Sequence, residues 1–272
     1  MYTIKKFQEL TICDDFMFKQ VMSHPRICKR IIERILHIKI RELKYLDMEK
    51  NYKNNYWSKG IRIDVYVEDE KGSRFILEMQ MRKLPDKAMN RRPRYYQSTI
   101  DYDFLNAGKD YDELGDSVVI FFCPFSLFGG ERRMYTFQNT CQEDKNIVLD
   151  DGTKKIFLCS TGKKTDDIDE DVNAFLDYMN GIINKNDFIQ EIDDTIIESK
   201  HNEGMEADYM TFEMRLREEK KYAREEGREE GQKGERINNI KKLMKNMGID
   251  AKKAMELLGI AKEEQAAYLP LL

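Results

Sequence analysis

Residues 60–80 read GIRIDVYVEDEKGSRFILEMQ, and the fold turns on how this stretch is understood. Ile61, Ile63, Val65 and Val67 alternate with Arg62, Asp64, Tyr66 and Glu68, the period of two expected of a strand with one buried face. Beyond the glycine the alternation resumes, with Phe75, Leu77, Met79 and Met81 forming one set and Arg74, Ile76, Glu78 and Gln80 the other. A three-residue loop, Glu70-Lys71-Gly72, with Gly72 at positive φ, is a favoured hairpin connection. That register sets Asp64 directly opposite Glu78 on the polar face. Opposed residues have Cβ atoms about 4.5–5.5 Å apart, so two carboxylates there repel unless a cation lies between them. Oxygen ligands with room for water suit Mg²⁺ or Mn²⁺ rather than zinc.

These residues resemble the PD-(D/E)XK phosphodiesterase superfamily, in which an Asp on one strand and a Glu-x-Lys on the next hold the catalytic metal. In this chain the second element is Glu78-Met79-Gln80, with Gln in place of Lys. Within the superfamily the chain is most similar to the Rpn recombination-promoting nucleases and related transposases. DDFMFKQVMSHP (residues 14–25) looks like the family's opening D-x-x-F-K segment, matched by Asp15, Phe18 and Lys19; FCPFSLFGGERRMYTFQN and DDGTKKIFL look like its second half. The resemblance covers residues 11–180. It implies Mg²⁺ or Mn²⁺ on Asp64, Glu78 and the carbonyl of Met79, a catalytic role for Gln80, and an assisting role for Asp15, whose alternative is a helix N-cap. The expected reaction is hydrolysis of a DNA phosphodiester by in-line attack of water. A lysine would bring charge to the transition state, whereas Gln80 can only hydrogen-bond. Two other readings stay open: a catalytically weak or inactive nuclease fold acting by binding, and an RNA-directed nuclease, because phosphate contacts carry no sugar or base identity.

Charge is unevenly distributed. The chain has a net charge of −4, yet residues 82–94 carry +5 and residues 165–200 carry −9, so that everything outside residues 165–200 sums to +5. The basic cluster directly follows the motif. Residues 91–105 read as a helix with Pro93 in its first turn and Tyr95, Thr99, Tyr102 and Leu105 on its buried stripe. Arg91, Arg92 and Arg94 at its start, with Tyr96, are the candidate phosphate-binding residues; the plain alternative is a solvated helix start.

Around this centre, residues 12–22 and a Pro25-initiated segment reaching His37 read as helices, residues 38–45 as a first strand, and residues 51–58, with Trp57, as a polar loop. SVVIFFC, residues 117–123, is apolar enough to be covered on both faces. Short strands follow at 133–137 and 155–159, then an amphipathic helix at 169–179 whose acids are read as solvated. The expected fold is α/β, a mixed central sheet flanked by helices with a restriction-endonuclease-like core and a C-terminal helical extension. The expected division is a nuclease domain at 1–180, a long charged helix or linker at 181–235 suited to self-association, and a small helical tail at 236–272. In that linker Ile189, Ile192, Ile196, Tyr209, Phe212, Leu216 and Ala223 recur at helical steps, so a homo-oligomer is expected.

Other chemistries find no support. The five cysteines are odd in number and lack CxxC spacing, which suits reduced thiols in the cytoplasm. There is no phosphate-loop motif, no GxGxxG and no nucleophile elbow. No run approaches the ~18 apolar residues of a membrane span, and no membrane association is expected.

Overall fold

The structure, a computed structural model, describes residues 5–46, 63–105 and 110–272. Residues 60–62 of the motif stretch and the loop with Trp57 lie outside them. Two compact units are present, Met1–Glu206 and Ala207–Leu272.

The first unit is built on a six-stranded sheet of β1 (Leu43–Tyr45), β2 (Val65–Asp69), β3 (Arg74–Met79), β4 (Ser117–Cys123), β5 (Met134–Phe137) and β6 (Thr153–Cys159). Its order is β1-β2-β3-β4-β6-β5. The β1–β2, β2–β3 and β5–β6 pairs are antiparallel, while β3–β4 and β4–β6 are parallel, giving a mixed sheet. Among the described residues, five α-helices accompany it: α1 (Asp15–Met22), α2 (Pro25–Leu36), α3 (Asp86–Phe104), α4 (Glu170–Met179) and α5 (Asp187–His201). Helices α1, α2, α4 and α5 pack on one another, and Phe18 of α1 and Phe175 of α4 both meet Phe122 of β4. The opposite sheet face is covered by α3, whose Met89, Tyr96 and Ile100 join Tyr66, Ile76, Val119 and Phe121 in one core.

All seven residues of β4 are buried, as an uninterrupted apolar strand between two helical layers requires. The hairpin forms with the expected loop: Asp69 pairs with Ser73 through its N–H (3.0 Å), and Gly72 has φ +82°. Gly115 packs against this turn so closely that a Cβ there would overlap the Gly72 carbonyl. α2 begins at Pro25 and stops where His37 enters the left-handed region at φ 54°.

Several expectations need correction. The hairpin's polar face is not solvated: Asp64, Tyr66, Ile76, Glu78 and Gln80 are all buried, because α3 lies across them. α3 starts at Asp86, placing Pro93 inside the helix and the arginines beyond its first turn, away from its open amides. Its inward stripe is Met89, Tyr96 and Ile100 with Gln97 and Thr99, while Tyr95 and Tyr102 are exposed. The acids of α4 are not uniformly solvated, since Asp171 and Asp177 are buried in ion pairs. The first unit also extends past residue 180: Phe188, Ile189, Ile192 and Ile196 of α5 are buried in it rather than held out for a partner helix.

The second unit contains most of α6 (Glu203–Met247), with α7 (Ala251–Leu257) and α8 (Lys262–Tyr268). The glycines at 227, 231 and 234 do not break α6. Asp250 caps α7, accepting from the Lys253 N–H at 2.8 Å. Ile240, Ala254, Met255, Ile260 and Tyr268 form a small separate core. Among the described residues, no helix is long and apolar enough to cross a membrane.

Candidate active site

The β2–β3 register pairs Val65 with Leu77 and Tyr66 with Ile76, so its next step places Asp64 opposite Glu78. At that step the regular ladder gives way to bonds between side chains and backbone. The Asp64 N–H donates to Glu78 Oε1 (3.1 Å), and Asp64 Oδ2 accepts from the Met79 N–H (3.0 Å). The two acids thus each cap the other's strand, which fixes both carboxylates within one small region.

Two cations converge on them. From α3, Arg92 donates through Nη2 to Glu78 Oε2 (2.7 Å), through Nη1 to Gln80 Oε1, and through Nε to the Tyr96 hydroxyl (2.6 Å). Tyr96, one turn further on, directs its hydroxyl at Glu78 Oε2 (3.4 Å). The guanidinium also lies 5.1 Å from the Tyr96 ring centre and 5.5 Å from that of Phe121. From α1, Lys19 brings Nζ to 3.6 Å from Asp64 Oδ1. Every carboxylate oxygen of the pair therefore meets a donor or a cation.

The electrostatics remain unbalanced. Burial raises the Glu78 carboxyl well above the ordinary carboxylate value, and the neighbouring Asp64 charge raises it further; Arg92, the Asp64 N–H and Lys19 offset this only in part. Burial followed by the Glu78 charge likewise raises the Tyr96 phenol, which stays neutral. Burial lowers the Arg92 guanidinium, but Glu78 and Tyr96 outweigh that and hold it above its usual value.

Of the residues selected from sequence, Asp64, Glu78, Met79, Gln80, Arg92 and Tyr96 come together. Arg91 and Arg94 do not join them: both are exposed on α3, and with Arg82, Lys83 and Lys87 they form a basic rim. Asp15 is the first residue of α1, half-buried and one turn before Lys19; the N-cap of that helix is Asp14. Lys19 was missed as a site residue, although its four-residue spacing from Asp15 puts both on one face of α1. The inward turn of Arg92 was also missed, because it depends on α3 starting at Asp86.

Asp64 and Glu78 form an all-oxygen donor pair suited to a hard divalent ion. Among the described residues, no group of three His, Cys, Asp or Glu side chains is arranged to hold a metal, so the pair would need backbone or solvent oxygens to complete a coordination sphere.

A mixed sheet that presents hairpin acids toward a basic helix is the layout of a PD-(D/E)XK-class nuclease. Comparison with protein families agrees: the model described as PD-(D/E)XK nuclease family transposase matches residues 12–242, and the chain belongs to that family. Nucleases of this superfamily generally use divalent metal ions. Neither the curated proteins nor the solved structures contain a match to the chain.

Proposed function

We propose that this chain is a Mg²⁺- or Mn²⁺-dependent DNA endonuclease, with a role in recombination or DNA mobilisation. The observation that carries this reading is the buried Asp64–Glu78 pair, whose Glu78 stays above the ordinary carboxylate range despite Arg92 and Lys19 beside it. Asp64, Glu78 and the Met79 carbonyl would hold a divalent ion, whose contribution would be Lewis-acid polarisation of the scissile phosphate and a more acidic bound water. Asp64 and Glu78 position that charge, and Asp15 assists from α1. Arg91 and Arg94, exposed on α3, meet backbone phosphates and set the register of the duplex. Tyr96 positions Arg92 rather than touching substrate, since it is buried. The free thiols of the chain suit a cytoplasmic setting, and α6, with Met210, Met214 and Tyr222 exposed, is assigned to self-association.

Nicking of supercoiled plasmid by purified protein tests the reading. Mg²⁺- or Mn²⁺-dependent cleavage is expected, abolished by chelator and by Asp64→Ala or Glu78→Ala. Cleavage that survives either substitution removes the site assignment, and supercoiled DNA left intact by wild type with both ions removes the function.

One observation favours a second reading, a non-catalytic binding protein: each oxygen of the acid pair is already engaged within the chain. Calorimetric titration of Mn²⁺ separates the two. The nuclease reading expects binding that Asp64→Ala removes, and the binding-protein reading expects none.

A further inference from the structure

The third motif position holds Gln80, and an amide cannot bring positive charge to a phosphate. Its surroundings show what it does instead. Gln80 is buried, and its Nε2 donates to the Arg82 carbonyl, which fixes the orientation of the amide and turns Oε1 toward α3. Oε1 there accepts from Arg92. Glu78 Oε2 and the Tyr96 hydroxyl hold the other two nitrogens of the same guanidinium. The side chain of Arg92 nevertheless keeps 29% of its surface exposed, against 3% for Glu78. A guanidinium carries five N–H donors, and these contacts engage three of them.

We infer that Arg92 is the cation that serves the reacting phosphate, and that Gln80 is the positioning residue that holds it there. This rests on the nuclease reading above. In the hydrolysis a water oxygen forms a new bond to phosphorus while one ester P–O bond breaks; its electron pair leaves on the departing oxygen, which takes up a proton. Negative charge builds on the non-bridging oxygens as this occurs, and the remaining Arg92 N–H groups donate to one of them. The guanidinium thus supplies from a helix the charge that a lysine at position 80 would supply from the strand. Lys19 does not fill this role in the same way, since its ammonium approaches Asp64 while Gln80 Oε1 holds Arg92.

The test is a double-substitution cycle on the full chain with plasmid cleavage and metal-free DNA binding as readouts. Arg92→Gln should slow cleavage ~100-fold or more, the usual cost of one transition-state donor, and Gln80→Ala should slow it less. Gln80→Lys on its own should also slow cleavage, because it sets like charges together; placed on Arg92→Gln it should restore at least ~10-fold, since either residue can bring the cation. A purely structural Arg92 does not produce that reversal of sign. In chelator, Arg92→Gln should lower the log–log salt slope of binding to a duplex oligonucleotide by about one. Because Arg92→Gln deprives Glu78 of a buried partner, Arg92→Lys serves as the companion variant: it keeps the charge without the fork, and its rate should fall between the two. The inference is overturned if Arg92→Gln cleaves within ~2-fold of wild type while Asp64→Ala is dead, an outcome that leaves the nuclease reading intact. It is also overturned if the salt slope is unchanged or if the duplex is not bound at all. A wild type that cleaves nothing but shows the slope change removes the nuclease reading and supports the Arg92 contact.

Discussion

The two faces of the sheet each conceal a pair of acids, and the pairs are matched in exposure. Asp64 and Glu78 are 8% and 2% exposed on the α3 face; Asp171 and Asp177 are 6% and 3% exposed on α4. Their electrostatics are opposite. Burial raises Asp171 and Asp177, but bonds from Arg30 and Asn186 to the first, and from Lys164, Arg133 and Asn184 to the second, bring both below the ordinary carboxylate value. Glu78 has Arg92 and still ends above it, because burial and the second carboxylate beside it outweigh Arg92, the Asp64 N–H and Lys19. Burial of an acid therefore does not identify a site. The α4 acids are finished ion pairs, Asp171 with Arg30 of α2 and Asp177 with Arg133 just before β5, whereas Glu78 shares its buried position with a second carboxylate.

Substitutions can break this contrast, the largest effect coming first. Glu78→Gln should abolish metal-dependent cleavage, at least ~1000-fold in a nicking assay, while leaving metal-free stability unchanged or raised by roughly 1 kcal/mol. Asp177→Asn should do the reverse, keeping cleavage in the folded fraction and costing about 3 kcal/mol in urea denaturation, since Arg133 is left buried without its counter-charge. If both variants lose activity in proportion to stability, the division between site and scaffold is unsound.

The pH response should separate the pairs next. Asp177 is depressed when folded, so its contribution is fully present above the unfolded aspartate value of 3.8 and is lost as pH falls through the lower folded value. Glu78 is raised, so its contribution is present below the unfolded value of 4.5 and is lost as pH rises through the folded one. Acid melts in chelator should show both variants converging on wild type at low pH and parting from it in opposite directions as pH rises, Asp177→Asn falling below wild type and Glu78→Gln matching or exceeding it. The smallest effect belongs to the rim: Arg91→Gln or Arg94→Gln should each lower the salt slope of duplex binding by about one with only a few-fold loss of affinity at moderate salt. A slope that does not move would place the nucleic acid elsewhere on the surface.

Much of this was legible in the sequence, and the limits have physical causes. Gly72 and the alternation on either side of it specify both the loop and the register, because a two-residue period allows no slip without inverting every side chain. The apolar run at 117–123 declares a strand covered twice. What alternation could not reveal is the cover over the hairpin: Asp64, Glu78 and Gln80 look solvated because polar residues are the signal for solvent, and a buried polar cluster sends the same signal. The start of α3 was displaced because Pro93 was read as a first-turn residue, where proline is favoured, whereas the helix begins at Asp86 and carries it in its interior. The partner choices of Lys19 and Arg92 are tertiary, set by where two helices land on opposite faces of one sheet.

Pro93 carries a consequence for timing. Proline offers no N–H to the carbonyl four residues before it, so the rung between Met89 and position 93 is missing from α3. The residues ahead of it, bearing Lys87 and Arg91, are tied to the helix by fewer rungs than those after it, where Tyr96 and Ile100 are sunk in the core. Amide exchange should be faster over residues 90–92 than over 97–101. Arg92, which reaches Glu78, is the residue immediately before that missing rung.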